Sequence, residues 1–336
     1  MGNLGPYPGG PPDYPCPFQR GKARGAKNGQ PSEDDKTWLL DTGAPISRIT
    51  TDNARNFDLT PVAGGQEYGG VTGQTARPQR GLTMVFRRKL PSGEEQEVTC
   101  NLPVIVLGSA DDGPDHIGMD QLTQVGAQFS WDPKTRTGDI ESAPPAGQPA
   151  PGGNIGPPAS NPQSRQPYQR GRARGRKNGN AVEVAKEWLV DTGAPISVIS
   201  RSNARKFDYT VVHQTPDGVW VRGITMVFTI EGANGQPKEV TCNLDVLVPN
   251  IEVQVDVLGM DQLASVNARI IWDPVNRTGK LVEAPPVAPP PGGSGPSPTP
   301  PSPPTPPPTP APAPTPAPTP APAPAQPPHS GGGWFS

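Results

Sequence analysis

Cysteine is scarce in this sequence: three stand among 336 residues, at Cys16, Cys100 and Cys242. They are too few and too scattered for a disulfide framework or a zinc site, so neither a metal nor another cofactor is expected. Cys100 and Cys242 each sit in the phrase Val-Thr-Cys-Asn-Leu, where a small buried core residue is the expectation. Long apolar runs are missing as well, and the opening MGNLGPYPGG is neither basic nor apolar. Without a signal peptide or a spanning segment, a cytoplasmic protein with no membrane partner is expected. Pro6 stands where myristoylation of Gly2 would need Ser or Thr. A net charge of only −2 leaves no global field to recruit nucleic acid.

Apolar residues are also few, at 32%, while proline reaches 51 and glycine 40. Such a balance cannot bury enough surface to order a whole chain. The prolines concentrate at the start, between Pro144 and Pro167, and after Glu283. They divide the chain into a disordered, basic Gly/Pro-rich arm at 1–34, a folded unit at 35–142, a disordered basic linker at 143–182, a second folded unit at 183–284, and a Pro/Thr/Ala-rich tail at 285–336. Each folded unit is long enough for one small core. The tail reads as a polyproline II spacer ending in Trp334-Phe335-Ser336. The basic runs Arg20–Lys27 and Arg170–Lys177 read as solvated linkers; polyanion holding and proteolytic processing are the alternatives.

The chain is written twice. FQRGKARGAKNG from Phe18 returns as YQRGRARGRKNG from Tyr168, and WLLDTGAPIS from Trp38 as WLVDTGAPIS from Trp188, 150 residues on (168 − 18, 188 − 38). GLTMVF and VTCNL return at 142 (223 − 81, 240 − 98), and GMDQL and WDP at 141 (259 − 118, 272 − 131). Two copies of this length are a domain duplication. Each copy reads as mainly β: short β-prone runs flank Pro91-Ser92-Gly93 in one and the hairpin signal Asn234-Gly235 in the other. GMDQL opens the best helix candidate, with Asp120 or Asp261 able to cap it. Short helical turns are expected over Asn53–Phe57 and Asn203–Phe207.

The phrase Asp-Thr-Gly-Ala carries the chemistry. Leu39-Leu40 and Leu189-Val190 would form buried strands ending at Asp41 and Asp191. Gly43 and Gly193 allow a tight turn and the close approach of another backbone. Thr42 and Thr192 carry hydroxyls that burial must satisfy, and a symmetric partner would do so. Two carboxylates side by side cannot both ionise, so they share a proton and divide into acid and base. The rival reading of paired DTG phrases is a turn in a β-barrel with a capping aspartate.

With DTG-Ala in both copies, and His116-Ile117-Gly118-Met119-Asp120-Gln121-Leu122 and Val257-Leu258-Gly259-Met260-Asp261-Gln262-Leu263 downstream, the sequence resembles the retropepsins and, more distantly, the two-lobed pepsins. The resemblance implies two tandem acid-protease β-barrel domains and an aspartic endopeptidase. Its catalytic residues would be Asp41 and Asp191, supported by Thr42, Gly43, Ala44, Thr192, Gly193 and Ala194. It further implies a polypeptide substrate held as an extended strand under flaps, for which Gly69, Gly70, Val71, Gly218 and Val219 are the candidates. The copies would pair within one chain as a pseudo-dimer, with pairing between chains as the alternative. A second reading, from another class, is a peptide-binding or assembly module with weak or lost activity. The chain departs from the family where Trp38 and Trp188 replace smaller residues, where His116 replaces an aliphatic one, and where the second copy lacks a Gly-Gly flap.

Overall fold

Two consecutive left-handed residues set the first element of each copy. Asn28 and Gly29 have φ of 52° and 73°, and Asn178 and Gly179 have 51° and 77°. That pair of conformations makes the tight hairpin turn whose twist matches its strands. Phe18–Lys27 therefore folds back on Gln30–Leu40, paired from Lys27↔Gln30 to Phe18↔Leu39. Tyr168–Lys177 and Asn180–Val190 repeat the arrangement. The chain is described here from a computed structural model that places residues 2–8, 14–69, 75–108, 113–145 and 153–286. The Pro-rich tail beyond Pro286, and its aromatic tip, lie outside the described residues.

These hairpins correct the expectation of no structure over 18–34, within the arm at 1–34, and over 168–182, within the linker at 143–182. The glycines in the basic runs mark close crossings, not slack. A Cβ on Gly21 would lie 2.1 Å from the Val85 carbonyl oxygen, and one on Gly171 would lie 2.3 Å from that of Val227. Leu82–Lys89 and Thr225–Glu231 pack there against the first strand of each hairpin. The charges are answered locally. Lys22 and Arg24 both pair with Glu33, and Arg24 reaches Glu97 at 3.0 Å. Arg174 meets Glu183 at 2.6 Å and Arg170 meets Glu187 at 3.1 Å. A basic run matched by acids on the neighbouring strands has little field left for a polyanion.

Each copy continues with a hairpin, Leu82–Lys89 with Glu95–Cys100 and Thr225–Glu231 with Pro237–Cys242, turning through Gly93 and Gly235 at positive φ. Cys100 and Cys242 are buried as expected, and burial pushes both thiols up to about 12. The helices are short: Met119–Gln124 and Met260–Ser265, then Thr51–Ala54 and Arg201–Ala204. Gly118 and Gly259, not Asp120 and Asp261, occupy the N-cap positions of the first pair. The aspartates sit inside the first turn with a different task, described below.

The fold is mainly β, and the two copies belong to one unit, Met1–Pro285. Their junction is a sheet at the base. Ala127–Asp132 pairs with Thr137–Ser142, and Ala268–Asp273 with Thr278–Glu283. The two hairpins then join edge to edge, Phe129↔Trp272, Ser130↔Ile271 and Trp131↔Ile270. Trp131 and Trp272 are fully buried there, and each indole N–H is satisfied by a backbone carbonyl, that of Pro15 at 2.7 Å and of Arg165 at 2.9 Å. Among the described residues no helix is long and apolar enough to cross a membrane.

Gly21→Ala separates the strand from the linker. Its new methyl would meet a backbone oxygen and the buried Trp38 ring, so the variant is expected to lose about 1–3 kcal/mol in urea unfolding. A slack linker would accept alanine without loss.

Candidate active site

Each aspartate emerges at the end of a strand gripped on both sides. Gln30–Leu40 runs parallel to His116–Ile117, and the Asp41 amide donates to the Ile117 carbonyl at 3.0 Å. Asn180–Val190 runs parallel to Asp256–Leu258, and the Asp191 amide donates to Leu258 at 3.2 Å. The GMDQL helices brace the loops that follow. The Met119 amide donates to the Ala44 carbonyl at 3.0 Å, and that of Met260 to Ala194 at 2.9 Å. Asp120 accepts from the Ser47 amide at 3.0 Å and hydroxyl at 2.8 Å, while Asp261 accepts from the Ser197 hydroxyl at 2.7 Å. These two aspartates thus tie helix to loop. A Cβ at Gly118 or Gly259 would stand 2.7 or 2.5 Å from the Ile46 or Ile196 carbonyl carbon, so the braces need glycine there. Burial raises Asp120 to about 6 and raises Asp261 as well.

The loops then interlock. Thr42 donates its amide to the Thr192 hydroxyl at 3.1 Å, and Thr192 returns the bond at 2.9 Å. Each hydroxyl also donates at 2.6 Å across the junction, Thr42 to Val190 and Thr192 to Leu40. All of these groups are buried, and each is satisfied by the other copy. Gly43 and Gly193 leave the space the carboxylates need: a Cβ on Gly43 would lie 2.4 Å from an Asp191 carboxyl oxygen, and one on Gly193 would lie 2.6 Å from the Asp41 carboxyl carbon.

Asp41 and Asp191 are buried face to face and hydrogen-bond to each other, which requires one of them to carry a proton. Asp41 accepts from the Ala44 amide at 3.0 Å and Asp191 from the Gly193 amide at 2.8 Å. Burial first, then the Asp41 carboxyl beside it, push Asp191 well above the ordinary carboxylate range. Such a pair can give a proton and take one at the same place.

All eight DTG-Ala residues come together here. Three of the five flap candidates, Gly69, Gly218 and Val219, are among the described residues. Gly218 and Val219 begin a strand, Gly218–Arg222, between Thr210–Gln214 and Val246–Pro249, and their partners are Pro249 and Val248 of the second copy. Gly69 ends the short strand Tyr68–Gly69, while Gly70 and Val71 lie outside the described residues. Other groups at the site were not expected from the sequence. The Gln166 side-chain amide donates to the Gly43 carbonyl. Its counterpart at the 150-residue spacing is Cys16, a buried thiol hydrogen-bonded to Tyr14. Burial raises both, and the charges of Asp41 and Asp191 add to the effect. His116 lies with its Nδ1 3.8 Å from Asp41 Oδ2. Aligning the copies was the signal for these three, since each stands where its counterpart differs.

No protein-family model and no curated protein matches this chain. Among solved structures, it is similar to an aspartic proteinase from Irpex lacteus, with 14% identity over 81% of this chain and 95% of that one, TM-score 0.47. It is also similar to Basic 7S globulin from soybean, with 11% identity over 79% of this chain and 92% of that one, TM-score 0.46.

Thr42→Val keeps the shape and strands the Thr192 amide and the Val190 carbonyl. A loss of about 2–4 kcal/mol is expected in guanidinium unfolding, with Thr42→Ser losing less than half as much. Asp120 generates a pH dependence. Its folded value of about 6 exceeds the ordinary 3.8, so its contribution is intact below about pH 4 and is lost as pH rises through 6. Unfolding free energies measured from pH 4 to 7 should fall more steeply for the native chain than for Asp120→Asn, by on the order of 2 kcal/mol.

Proposed function

We propose that this protein is a retropepsin-like aspartic endopeptidase whose carboxylate pair, Asp41 and Asp191, forms within one chain. The observation that carries the reading is the interlocked double loop: two buried carboxyls, each filling the space beside the other copy's glycine, bonded to each other through one proton. That arrangement suits the hydrolysis of an amide by water. The ionised carboxylate takes a proton from a water molecule as its oxygen attacks the peptide carbonyl carbon. The protonated carboxyl gives its proton to the carbonyl oxygen, so no charged tetrahedral oxyanion is left in a buried site. Collapse of the diol passes a proton to the departing nitrogen, and the pair ends with one shared proton as it began. Thr42, Gly43, Ala44 and their counterparts Thr192, Gly193 and Ala194 hold the two carboxyls at bonding distance without touching substrate.

The substrate is a polypeptide, taken as an extended strand, with Gly69, Gly70 and Val71 on one side as the flap. Gly218 and Val219 would act through the hairpin they belong to, whose outer strand Thr210–Gln214 exposes Val211 and Val212. Pairing within the chain is favoured by the base sheet, which joins the copies edge to edge and holds them in register. It also makes the local concentration of one copy about the other independent of dilution.

Asp41→Asn and Asp191→Asn are each expected to abolish cleavage of a mixed peptide library while preserving the circular-dichroism spectrum. Pepstatin should inhibit the native chain, and its rate should trace a bell with pH because the pair titrates in two macroscopic steps. Specific activity should hold constant on dilution to nanomolar protein, and a mixture of the two variants should stay inactive. Near-full activity in either single variant would end the paired-carboxylate reading, and recovery in the mixture would show pairing between chains.

A further inference from the structure

The copies differ at the residue flanking each aspartate. His116 stands opposite Leu39 in the first copy and Val257 opposite Leu189 in the second, so an imidazole occupies the place of an isopropyl group. The ring is buried, and its Nδ1 has no hydrogen-bond partner. Its bond to the Ile46 backbone is therefore made through Nε2, which leaves the Nδ1 lone pair facing Asp41 Oδ2 at 3.8 Å. A buried, unpartnered nitrogen costs stability, and a leucine or valine would have filled the same volume. The lone pair is useful only if a proton arrives.

The charged and titratable neighbours decide where that proton acts. Arg48 lies across the strand pair from His116 and donates to the Pro114 carbonyl at 3.1 Å. Asp115, the preceding residue, is committed to the Thr50 amide at 2.7 Å and the Asn53 side chain at 2.6 Å, with Lys36 3.9 Å away. Asp120 on the bracing helix is committed to Ser47. Asp191 is bonded to Asp41, and Tyr14 and Cys16 are bonded to each other and feel both carboxyls. Of these acids, the one the ring faces is Asp41. A proton on Nδ1 would put a cation beside that carboxylate and a donor on the line between them.

We propose that His116 is a positioning residue that makes the carboxylate pair unequal: in acid it takes a proton from solvent on Nδ1 and holds Asp41 as the carboxylate, leaving Asp191 to carry the pair's proton. Burial holds His116 down to about 4, Asp41 draws it up and Arg48 draws it down again. It thus charges in the acid range where a second proton would silence the pair, and it resists that second proton. The effect on rate rests on the protease reading; the titration does not.

Both arms of the test use the full chain. With labelled histidine, the three rings are followed by NMR from pH 3 to 8, with His116 assigned by its loss in His116→Val. His116 is expected to titrate near pH 4, and its midpoint should fall by about one unit in Asp41→Asn, where the facing charge is gone. In His116→Val, which copies the residue of the other half, the acid limb of the kcat/KM profile should move up by about one pH unit while the alkaline limb stays. A merely structural histidine would lower the melting temperature and leave the limb in place. An acid limb within about 0.2 unit of the native one, or a His116 midpoint indifferent to Asp41→Asn, overturns the proposal. A native chain that cleaves nothing removes the protease reading, and the NMR titration alone then decides whether His116 and Asp41 are coupled.

Discussion

Everything at the centre of this molecule depends on space left empty by two glycines. Gly43 and Gly193 lack the one carbon that would collide with the opposite carboxyl, and the opposite carboxyl is what occupies the gap. A loop with such a notch has no complete packing of its own. The threonines next to it repeat the logic in hydrogen bonds, since Thr42 and Thr192 find their partners only across the junction. Buried polar groups demand partners and dense interiors tolerate few voids. The same physics therefore closes the loops on each other and brings two acids into contact. The base sheet and the helix braces hold the loops where that closure is possible.

The centre was legible because every part of it needs a particular residue type. An acid after two apolar residues, a hydroxyl that burial must satisfy and a glycine for close approach are all written in order, twice. The Thr42–Thr192 exchange follows from the demand for a symmetric partner. The outer strands were not legible, for an equally physical reason. In Arg20–Lys27 the inward positions are Gly21, Ala23 and Gly25, chosen to be small because another strand crosses there, so the alternation that marks a strand carries no apolar signal. Composition then reads the segment as linker. Asp120 and Asp261 were misplaced by one step of the same kind, since a backbone-only cap at glycine leaves the nearby acid free to bind elsewhere.

Duplication also shows which positions tolerate divergence. DTG-Ala and the serine–aspartate ties are the same in both copies, as interlocking and bracing require. Residues that approach the centre from one side only have drifted: Cys16 against Gln166, His116 against Val257. An arrangement closed on itself constrains its reciprocal contacts and frees its flanks. The chemical asymmetry of a pair built from matching halves must come from those flanks.

The distance along the chain between the interlocking loops has a consequence in time. Asp41 leaves the ribosome 150 positions before Asp191 (191 − 41), and the strand that completes the base sheet follows later still. At ordinary elongation rates that interval is about 8–30 s. Throughout it the first copy has an unfilled notch, threonine groups without partners and a single carboxyl. Whatever the finished centre does, the nascent chain cannot do it, and the delay is fixed by the order of the two copies along the chain.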